Sequence, residues 1–362
     1  MSGAAGGAAR GPRVAVIGAG VVGLATVAAL RDIGARVVCF ERAPAVMEER
    51  SAGATRIFRL AHEDPALVGL ARWSRAIVGE WEAAAGRRMI GTEGCVVTGT
   101  AVPGMAAGLR AAAARHELVE DADVAHLGLP ARELPAVALI DPDGGITDVD
   151  AVRAHLAALA AGVLVHEPVR AVEPHGAGAA VWSASGSHRF DAVVVAAGAG
   201  TAALVAPLGL DVPSMLAHHV RFAVPDPGAA AHRPCWIDDP VDGLHTYQHR
   251  SGPGRWSVGA SMDPALVAWD VGRQAAEAVS RQAVLAHVRE RLTVEPRIVG
   301  SLYCTTTAPP RGDGFVVQCA GAVLAVHGAN LFKLAPVMGH ALAAAAVGGS
   351  TPSAAGLAAG AG

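Results

Sequence analysis

The chain contains little lysine, few aromatic residues and no closely spaced pair of cysteines. Lys333 is the single lysine among 29 basic residues, and aromatic residues make up 4% of the 362 positions. The formal net charge of −3 excludes the strongly basic surface with which proteins attract nucleic acid or anionic membranes. Five cysteines without a CxxC pair fit a reducing cytoplasm better than a disulfide framework.

The sequence also lacks the pattern of a signal peptide. Residues 1–12 are small and flexible, with no separate charged and apolar regions. The apolar run from Val14 to Leu30 has the length of a short membrane span. Glycines at motif spacing divide this run, so it predicts a strand and a helix. With 52% hydrophobic and 17% charged residues, the composition is typical of a globular protein large enough for two domains.

Hydrophobic periodicity predicts alternating strands and helices in the first part of the chain. A buried strand over Val14–Ile17 precedes a helix over Val21–Ile33, which ends at Gly34. A second strand follows over Arg36–Phe40. Apolar residues at helical spacing then predict a long helix over Pro65–Ala85.

The rest of the chain predicts further elements at less regular intervals. After an alanine-rich stretch, Asp148 is expected to cap a helix over Val149–Ala161. Residues His218–Met262 predict antiparallel strands. The remaining predicted elements are strands over Val163–His166, Ala179–Ser183, Asp191–Ala197, Ile298–Thr305 and Ala322–Val326, and helices over Gly272–Leu292 and Ala335–Val347.

The motif GAGVVG at residues 18–23 lies between the first predicted strand and helix, as in Rossmann-type dinucleotide binding. Gly18 permits a tight turn, Gly20 lets the backbone approach a pyrophosphate, and Gly23 allows close helix packing. The helix N-terminus then directs N–H groups at the phosphates. Glu41 ends the second strand, where a carboxylate accepts hydrogen bonds from ribose hydroxyls. The motif indicates a dinucleotide without distinguishing FAD from NAD.

A second glycine-rich turn, Gly198-Ala199-Gly200, follows the strand over Asp191–Ala197. This arrangement resembles the FAD-dependent D-amino-acid oxidase superfamily, whose members carry a second glycine signature at this point. They also have a valine near the adenine, which Val169 matches. The resemblance implies that the dinucleotide is FAD and that Ala197 and Gly198 contact it.

Residues 51–59, SAGATRIFR, resemble the segment that passes the flavin in monomeric sarcosine oxidase and N-methyltryptophan oxidase. Residues 330–334, NLFKL, are a second match, in front of the closing helix. The resemblance implies that Arg56 lies beside the flavin ring and that Arg59 and Lys333 bind a substrate carboxylate. A bidentate arginine and a point-charge lysine suit that role. The alternatives are arginines in surface ion pairs and a solvated lysine at a helix end.

The motifs and the resemblance together predict the site residues. The residues expected to bind FAD are Gly18, Gly20, Val22, Gly23, Glu41, Arg42, Thr55, Arg56, Val169, Ala197, Gly198, Gly328 and Lys333. The residues expected to act on the substrate are Arg56, Arg59, His245, Tyr247 and Lys333, and no metal site is expected. His245 or Tyr247 could serve as a general base for the amine. An ordinary structural hydrogen bond explains a histidine on a strand equally well.

Several residues depart from the family pattern beside the expected flavin. Leu302 stands where sarcosine oxidase-like enzymes attach FAD through a cysteine, so we predict non-covalent FAD. Cys304 lies two residues later, on the same face of a strand, which leaves attachment through Cys304 as the alternative. Ser257 stands at the position of the lysine that promotes reaction with oxygen, which leaves an oxidase and a dehydrogenase both open. Asn330 and Leu331 replace a His-Gly pair.

The predicted fold class is α/β, with a Rossmann-type FAD-binding domain interrupted by a substrate domain built on an antiparallel sheet. Helix-alternating strands at the start, middle and end of the chain, with antiparallel strands between them, favour this division. The predicted limits are 10–89, 146–214 and 311–348 for the FAD-binding domain, 90–145 and 215–310 for the substrate domain, and 1–9 and 349–362 for flexible termini.

The predicted function is FAD-dependent oxidation of a C–N bond of an amino acid or small amine by hydride transfer. The products are an imine and, with oxygen, hydrogen peroxide. The alternatives are an FAD amine dehydrogenase or other flavin oxidoreductase with poor oxygen reactivity, a non-catalytic flavin-binding protein, and an NAD-dependent dehydrogenase. The expected partners are the small-molecule substrate and oxygen, with no nucleic acid or membrane, in a cytoplasmic monomer or homodimer. The altered pocket suggests a specialised substrate of secondary metabolism.

Overall fold

The computed structural model describes residues 11–212, 215–228, 232–308 and 314–348. The expected flexible termini, 1–9 and 349–362, lie outside these residues. The helices are α1 (Val21–Asp32), α2 (Pro65–Ala85), α3 (Val102–Ala111), α4 (Ala122–Ala125), α5 (Val149–Ala160), α6 (Thr201–Val205), α7 (Pro264–Val267), α8 (Arg273–Arg291) and α9 (Leu331–Gly348). The strands are β1 (Arg13–Ile17), β2 (Arg36–Phe40), β3 (Thr55–Phe58), β4 (Cys95–Gly99), β5 (Glu117–Glu120), β6 (Val137–Asp141), β7 (Gly145–Asp148), β8 (Leu164–Val165), β9 (Ala171–His175), β10 (Gly178–Ser183), β11 (Gly186–Phe190), β12 (Ala192–Val195), β13 (Met215–Pro225), β14 (Cys235–Asp239), β15 (Thr246–Gly252), β16 (Arg255–Ala260), β17 (Gly300–Ala308), β18 (Gly314–Ala320) and β19 (Val323–Ala329).

A six-stranded sheet with the order β18-β19-β12-β1-β2-β8 forms one layer of the fold. Its strands are parallel except for β18, which is antiparallel to β19. Val14 and Val16 pack on one face with α1 and α9, while Ala15 packs on the other face with β9 and β10. Burial on both faces explains the continuous apolar sequence of β1. Ile17 lies opposite Phe40 and Val195, so three strands end together at one edge of the sheet.

An eight-stranded sheet with the order β17-β13-β16-β15-β14-β4-β6-β5 forms the second layer. Neighbouring strands are antiparallel except β14 and β4, which are parallel and come from separated parts of the chain. Phe222 and Trp256 pack with Val284 of α8 on one face. Because side chains alternate along a strand, His219 and Arg221 face the opposite side. The limits of the two domains remain a prediction.

Two predicted helices are confirmed almost to the residue, and in both a side chain caps the N-terminus. Helix α2 spans Pro65–Ala85, as predicted, and the Asp64 carboxylate accepts a hydrogen bond from the N–H of Ala66 at 2.8 Å. Gly86 ends this helix with a φ of 61°. Asp148 caps α5 in the same way, accepting from the third residue of that helix at 2.9 Å.

The predicted start of the closing helix is wrong. The helix was expected to begin at Ala335, but α9 begins at Leu331 and includes Lys333 and Pro336. Proline in a helix lacks one N–H donor. Near the first turn this loss removes a single backbone hydrogen bond, so the helix continues through Pro336. The prediction also lacks strands β3, β4, β5, β6, β7, β9, β11 and β18 and the short helices α3, α4, α6 and α7.

Helix α9 is the one helix of the described residues that is long and apolar enough to cross a membrane. In this fold 61% of its apolar stretch is buried. Leu334, Val337 and Met338 belong to the core that α9 shares with α1 and α2. Its apolar character is therefore explained by its position in the interior of the protein.

Candidate functional site

A cavity of about 1320 Å³ begins at the carboxyl edge of the six-stranded sheet and continues along the eight-stranded sheet. The loop after β1 forms one end of its wall, and residues of β13, β15 and α9 form the other. Open parallel α/β sheets bind ligands at this edge. The cavity therefore lies where the glycine motif predicts a dinucleotide.

Two of the three motif glycines leave no room for a Cβ atom, and the third leaves room for one. Gly18 has a φ of 101°, and a Cβ atom there would lie 2.6 Å from the carbonyl oxygen of Ala196. A Cβ atom on Gly23 would lie 1.9 Å from the carbonyl oxygen of Gly18. A Cβ atom on Gly20 would meet only Ser51 Oγ, at 3.4 Å. The backbone at Gly20 is thus exposed to a phosphate, while Gly23 serves helix packing behind the loop.

The carboxylate of Glu41 is fixed in the cavity wall by two backbone N–H groups. Its Oε2 accepts from the N–H of Ala19 at 2.6 Å, and its Oε1 accepts from the N–H of Ala43 at 2.9 Å. The remaining lone pairs are available to ribose hydroxyls. Arg42 pairs with Glu49, with a distance of 2.9 Å from Nε to Oε1. The other predicted cofactor residues that line this cavity are Val22, Arg42, Val169, Ala197, Gly198 and Gly328. These residues fit the nucleotide part of FAD.

Arg56 on β3 reaches into the cavity wall and is held there by backbone carbonyls. It donates to the carbonyl oxygens of Thr55 at 3.0 Å and Arg50 at 3.3 Å, and to that of Ala52. Burial, and then the charge of Arg221, lower its pKa to about 9. These carbonyl contacts argue against the alternative of a surface ion pair for this arginine.

Thr55 does not line the cavity, in contrast to the expectation that it contacts FAD. Since side chains alternate along β3, Thr55 points away from the side occupied by Arg56. Its Oγ1 forms a hydrogen bond of 2.9 Å with Nε2 of His249. Thr55 therefore links β3 to β15 on the side of β3 opposite to the Arg56 side chain.

Arg59, His62 and Lys333 line the same cavity. Lys333 lies in the first turn of α9 and is only 8% exposed, which excludes a solvated lysine. Burial lowers the pKa of His62 well below its usual value, and the charges of Lys333 and Arg59 lower it further. Two cations beside a neutral imidazole suit a carboxylate ligand. His62 was missed in the sequence, since no motif marks it.

The segment that carries Arg59 and His62 is fixed by Asp141, at the end of β6. The buried Asp141 Oδ2 accepts hydrogen bonds from the N–H of Leu60 and, at 3.0 Å, from that of Ala61. Burial raises the pKa of Asp141 in spite of these donors. The contact joins β6 of the eight-stranded sheet to the arginine that follows β3.

Tyr247 lies in a chain of three hydrogen-bonding groups on the cavity side of the eight-stranded sheet. Its hydroxyl bonds to Nε2 of His219, and Nδ1 of the same ring lies 3.1 Å from Sγ of Cys304. All three side chains line the cavity. Burial, and then the charge of Arg221, lower the pKa of His219 to about 3, so its imidazole is neutral at physiological pH.

His245 also lines the cavity, just before β15. Its Nδ1 lies 3.0 Å from Oδ1 of Asp239, so a structural hydrogen bond accounts for one side of its ring. In the described parts of the chain, no group of three or more His, Cys, Asp or Glu side chains could hold a metal ion.

Arg221 is a buried cation of the site that sequence reasoning missed. It lies on β13, is 7% exposed, and donates through Nη1 to the carbonyl oxygen of Thr55 at 3.3 Å. Ser257, on the adjacent β16, is buried opposite His249. Leu302 lies so close to Gly53 that a Cβ atom there would be 2.5 Å from Leu302 Cδ2. An aliphatic side chain thus lies at the position where the resemblance to sarcosine oxidase-like enzymes places an attachment cysteine.

The fold and the site define an FAD-binding oxidoreductase, with a glycine loop, a ribose-binding acid and a cationic cavity. The chain belongs to the family described as FAD dependent oxidoreductase, whose model matches residues 13–345. This match confirms the resemblance, the α/β fold class and the cofactor FAD. The cofactor is bound non-covalently, as the leucine at position 302 predicts.

Solved structures of amino acid oxidases are similar to this chain over nearly its whole length. The open form of a tyrosine-to-phenylalanine variant of NikD has a TM-score of 0.83 and 25% identity, covering 95% of each chain. The open form of NikD itself has a TM-score of 0.81 and 26% identity, covering 94% of this chain and 95% of NikD. NikD is described as an unusual amino acid oxidase essential for nikkomycin biosynthesis.

Glycine oxidase from Geobacillus kaustophilus shares the fold at lower identity. Its TM-score is 0.73 at 19% identity, covering 92% of this chain and 94% of the glycine oxidase. A search of curated protein sequences finds no match.

Proposed function

We propose that this enzyme oxidises the C–N bond of an amino acid, or of another small amine with a carboxylate, to an imine. The observation that carries the proposal is the group of Arg59, His62 and Lys333 in the wall of the cofactor cavity. Two cations beside a neutral imidazole match the carboxylate of such a substrate. The similarity to NikD, an amino acid oxidase, supports the proposal.

FAD, when bound, supplies the acceptor for the hydride. The residues of the chain bind the substrate and set its protonation state. Arg59 and Lys333 hold the carboxylate and so orient the carbon that carries the amine. Hydride leaves an amine only in its neutral form, and the charges of Arg56 and Arg221 disfavour the ammonium form. The same two charges favour the negative charge that develops at the hydride acceptor.

We propose oxygen as the electron acceptor, with hydrogen peroxide as the second product. Ser257 favours the alternative of an amine dehydrogenase, because the family lysine at this position is missing. Arg221 supplies a buried cation on the neighbouring strand and the same face of the sheet. Mixing the substrate-reduced enzyme with air-saturated buffer separates the two functions. Rapid return of the oxidised flavin spectrum supports the oxidase, whereas return only with an added dye supports the dehydrogenase.

Anaerobic titration of the flavin absorbance with a panel of amines and amino acids tests the proposed reaction. We expect at least one carboxylate-bearing amine to bleach the oxidised band. Arg59→Ala and Lys333→Ala should each raise the half-bleaching concentration of that amine about 100-fold, since each removes a charged partner. Arg297→Ala is the control, because Arg297 pairs with Glu295 on the surface at 2.7 Å.

Two results would contradict the proposal. A yellow protein that no amine or amino acid bleaches would indicate a non-catalytic flavin-binding protein. If Arg59→Ala and Lys333→Ala both leave the half-bleaching concentration unchanged, the carboxylate site is contradicted.

We further propose that the enzyme acts in the cytoplasm as a monomer or homodimer. All five cysteines are free, and Cys39, Cys95 and Cys235 are buried. Free thiols persist in a reducing compartment. Sedimentation of the purified holoenzyme would distinguish the monomer from the dimer.

A further inference from the structure

Two tyrosines occur in the chain, and each hydroxyl contacts one of two adjacent histidines on β13. Tyr303 lies 2.8 Å from Nδ1 of His218, and its ring is outside the cavity wall. Tyr247 contacts His219, which also contacts Cys304 at 3.1 Å. Strand alternation places the two pairs on opposite faces of the sheet. His218, His219 and Tyr247 line the cavity, whereas Tyr303 does not, so the hydroxyl of Tyr247 is the one that a ligand in the cavity can reach.

The protonation of these groups fixes the direction of the hydrogen bonds. Burial lowers the pKa of His219 and raises that of Tyr247, so both are neutral at physiological pH. A neutral imidazole has one donor nitrogen and one acceptor nitrogen. A phenol donates more strongly than a thiol, so Nε2 accepts from Tyr247 and Nδ1 donates to Cys304. The positive charges of Arg56 and Arg221 also favour the sulfur as an acceptor.

We propose that Tyr247 accepts a hydrogen bond from the substrate N–H, and that His219 is the positioning residue that holds it in this role. Because its single proton is donated to His219, the Tyr247 oxygen presents only lone pairs to the cavity. The site then selects primary and secondary amines beside a carboxylate over N,N-dialkylated amines, which have no N–H when neutral. This inference rests on the proposed function, since Arg59 and Lys333 must hold the carboxylate.

Pyrrole-2-carboxylate and 2-furoate test this assignment in the holoenzyme without turnover. The two ligands have the same shape, but one ring carries an N–H and the other an oxygen. Their dissociation constants follow from titration of the flavin absorbance. We expect pyrrole-2-carboxylate to bind roughly tenfold more tightly, the effect of one hydrogen bond. Tyr247→Phe should reduce this ratio to about one.

Variants of the positioning residue separate its role from simple packing. In His219→Leu the freed Tyr247 hydroxyl can turn towards the cavity and donate, so the ratio should fall as in Tyr247→Phe. His219→Gln places an amide oxygen near the acceptor position and should retain more of the preference. Tyr303→Phe breaks the matching hydrogen bond on the opposite face of the sheet, where Tyr303 does not line the cavity, and should leave the ratio unchanged.

The outcomes distinguish this inference from the proposed function. Equal binding of the two ligands to the wild-type enzyme overturns the role of Tyr247, and this result needs no variant to fold. If Tyr247→Phe leaves the ratio of the two dissociation constants unchanged, the role of Tyr247 is overturned as well. If neither ligand perturbs the flavin spectrum, the carboxylate site and the inference both fail. If an amine bleaches the flavin but the two ligands bind equally, the proposed function holds and only the inference about Tyr247 fails.

Discussion

At the scale of single residues, the cofactor site depends on backbone contacts that tolerate no side chain. Gly23 is in the first helix, where any residue could adopt the backbone conformation. It must be glycine because a Cβ atom at this position would lie 1.9 Å from the carbonyl oxygen of Gly18. The helix therefore lies against the loop that receives the pyrophosphate.

Gly23→Ala should weaken FAD binding, because the loop at Gly18 must move to accept the methyl group. We expect the purified variant to lose most of its flavin, measured as the ratio of absorbance at the flavin band to that of the protein. Gly79→Ala is the matched control, since a Cβ atom there meets no heavy atom within 4 Å. Full flavin content in Gly23→Ala would show that the loop adapts without loss of binding.

Local spacing explains which site residues the sequence reveals. Gly18, Glu41 and Lys333 follow from motifs that lie within a few residues of a strand or helix end. His219 and Arg221 were missed because their position depends on the pairing of β13 with β17 and β16. Which strands become neighbours in a sheet is a long-range property that periodicity in one strand does not contain.

At the scale of secondary-structure elements, the contact between α1 and α9 brings Lys333 to the cavity. Gly339 of α9 lies against α1, and a Cβ atom there would be 2.5 Å from the carbonyl carbon of Ala25. This close approach leaves no room for a side chain at the crossing. Helices with caps, such as α2 and α5, were predicted nearly to the residue. The start of α9 was missed because Pro336 obscures the beginning of that helix.

Gly339→Ala should lower the free energy of unfolding by about 1–3 kcal/mol, because the methyl group overpacks the crossing. Gly69→Ala should instead raise it by about 0.5–1 kcal/mol, since Gly69 lies inside α2 with open space around it. Urea denaturation of the two variants beside the wild type measures both changes. Equal effects of the same sign would contradict the close crossing.

At the scale of the whole molecule, buried neutral histidines link stability to pH. Burial lowers the pKa of His219 to about 3 and that of His287 to about 4, with nearby arginine charges as a further cause. In the unfolded chain a histidine titrates near pH 6.5. Below that pH the unfolded state binds more protons than the folded state, so this stability is complete above pH 6.5 and is lost as the pH falls.

For each of these two histidines, the free energy of unfolding should therefore fall by about 1.4 kcal/mol as the pH falls from 6 to 5. The melting temperature of the holoenzyme, measured from pH 8 to 5, should fall over this range. His287→Asn removes one contributor outside the cavity and should make the slope shallower. His175→Asn, at an exposed position, should leave the slope unchanged. A melting temperature that stays constant from pH 7 to 5 would contradict this account.

The six-stranded sheet places β1 and β19, which lie far apart in the sequence, on the two sides of β12. Strand β12 pairs with β1 on one side and with β19 on the other. During synthesis on the ribosome, β12 has one open edge until residues 323–329 emerge. Lys333 follows those residues, so the nascent chain cannot assemble its carboxylate site until α9 has been translated. Capture of the cofactor in its complete site thus follows the synthesis of α9, and yield in the cell should depend on the free FAD that is present from that point on.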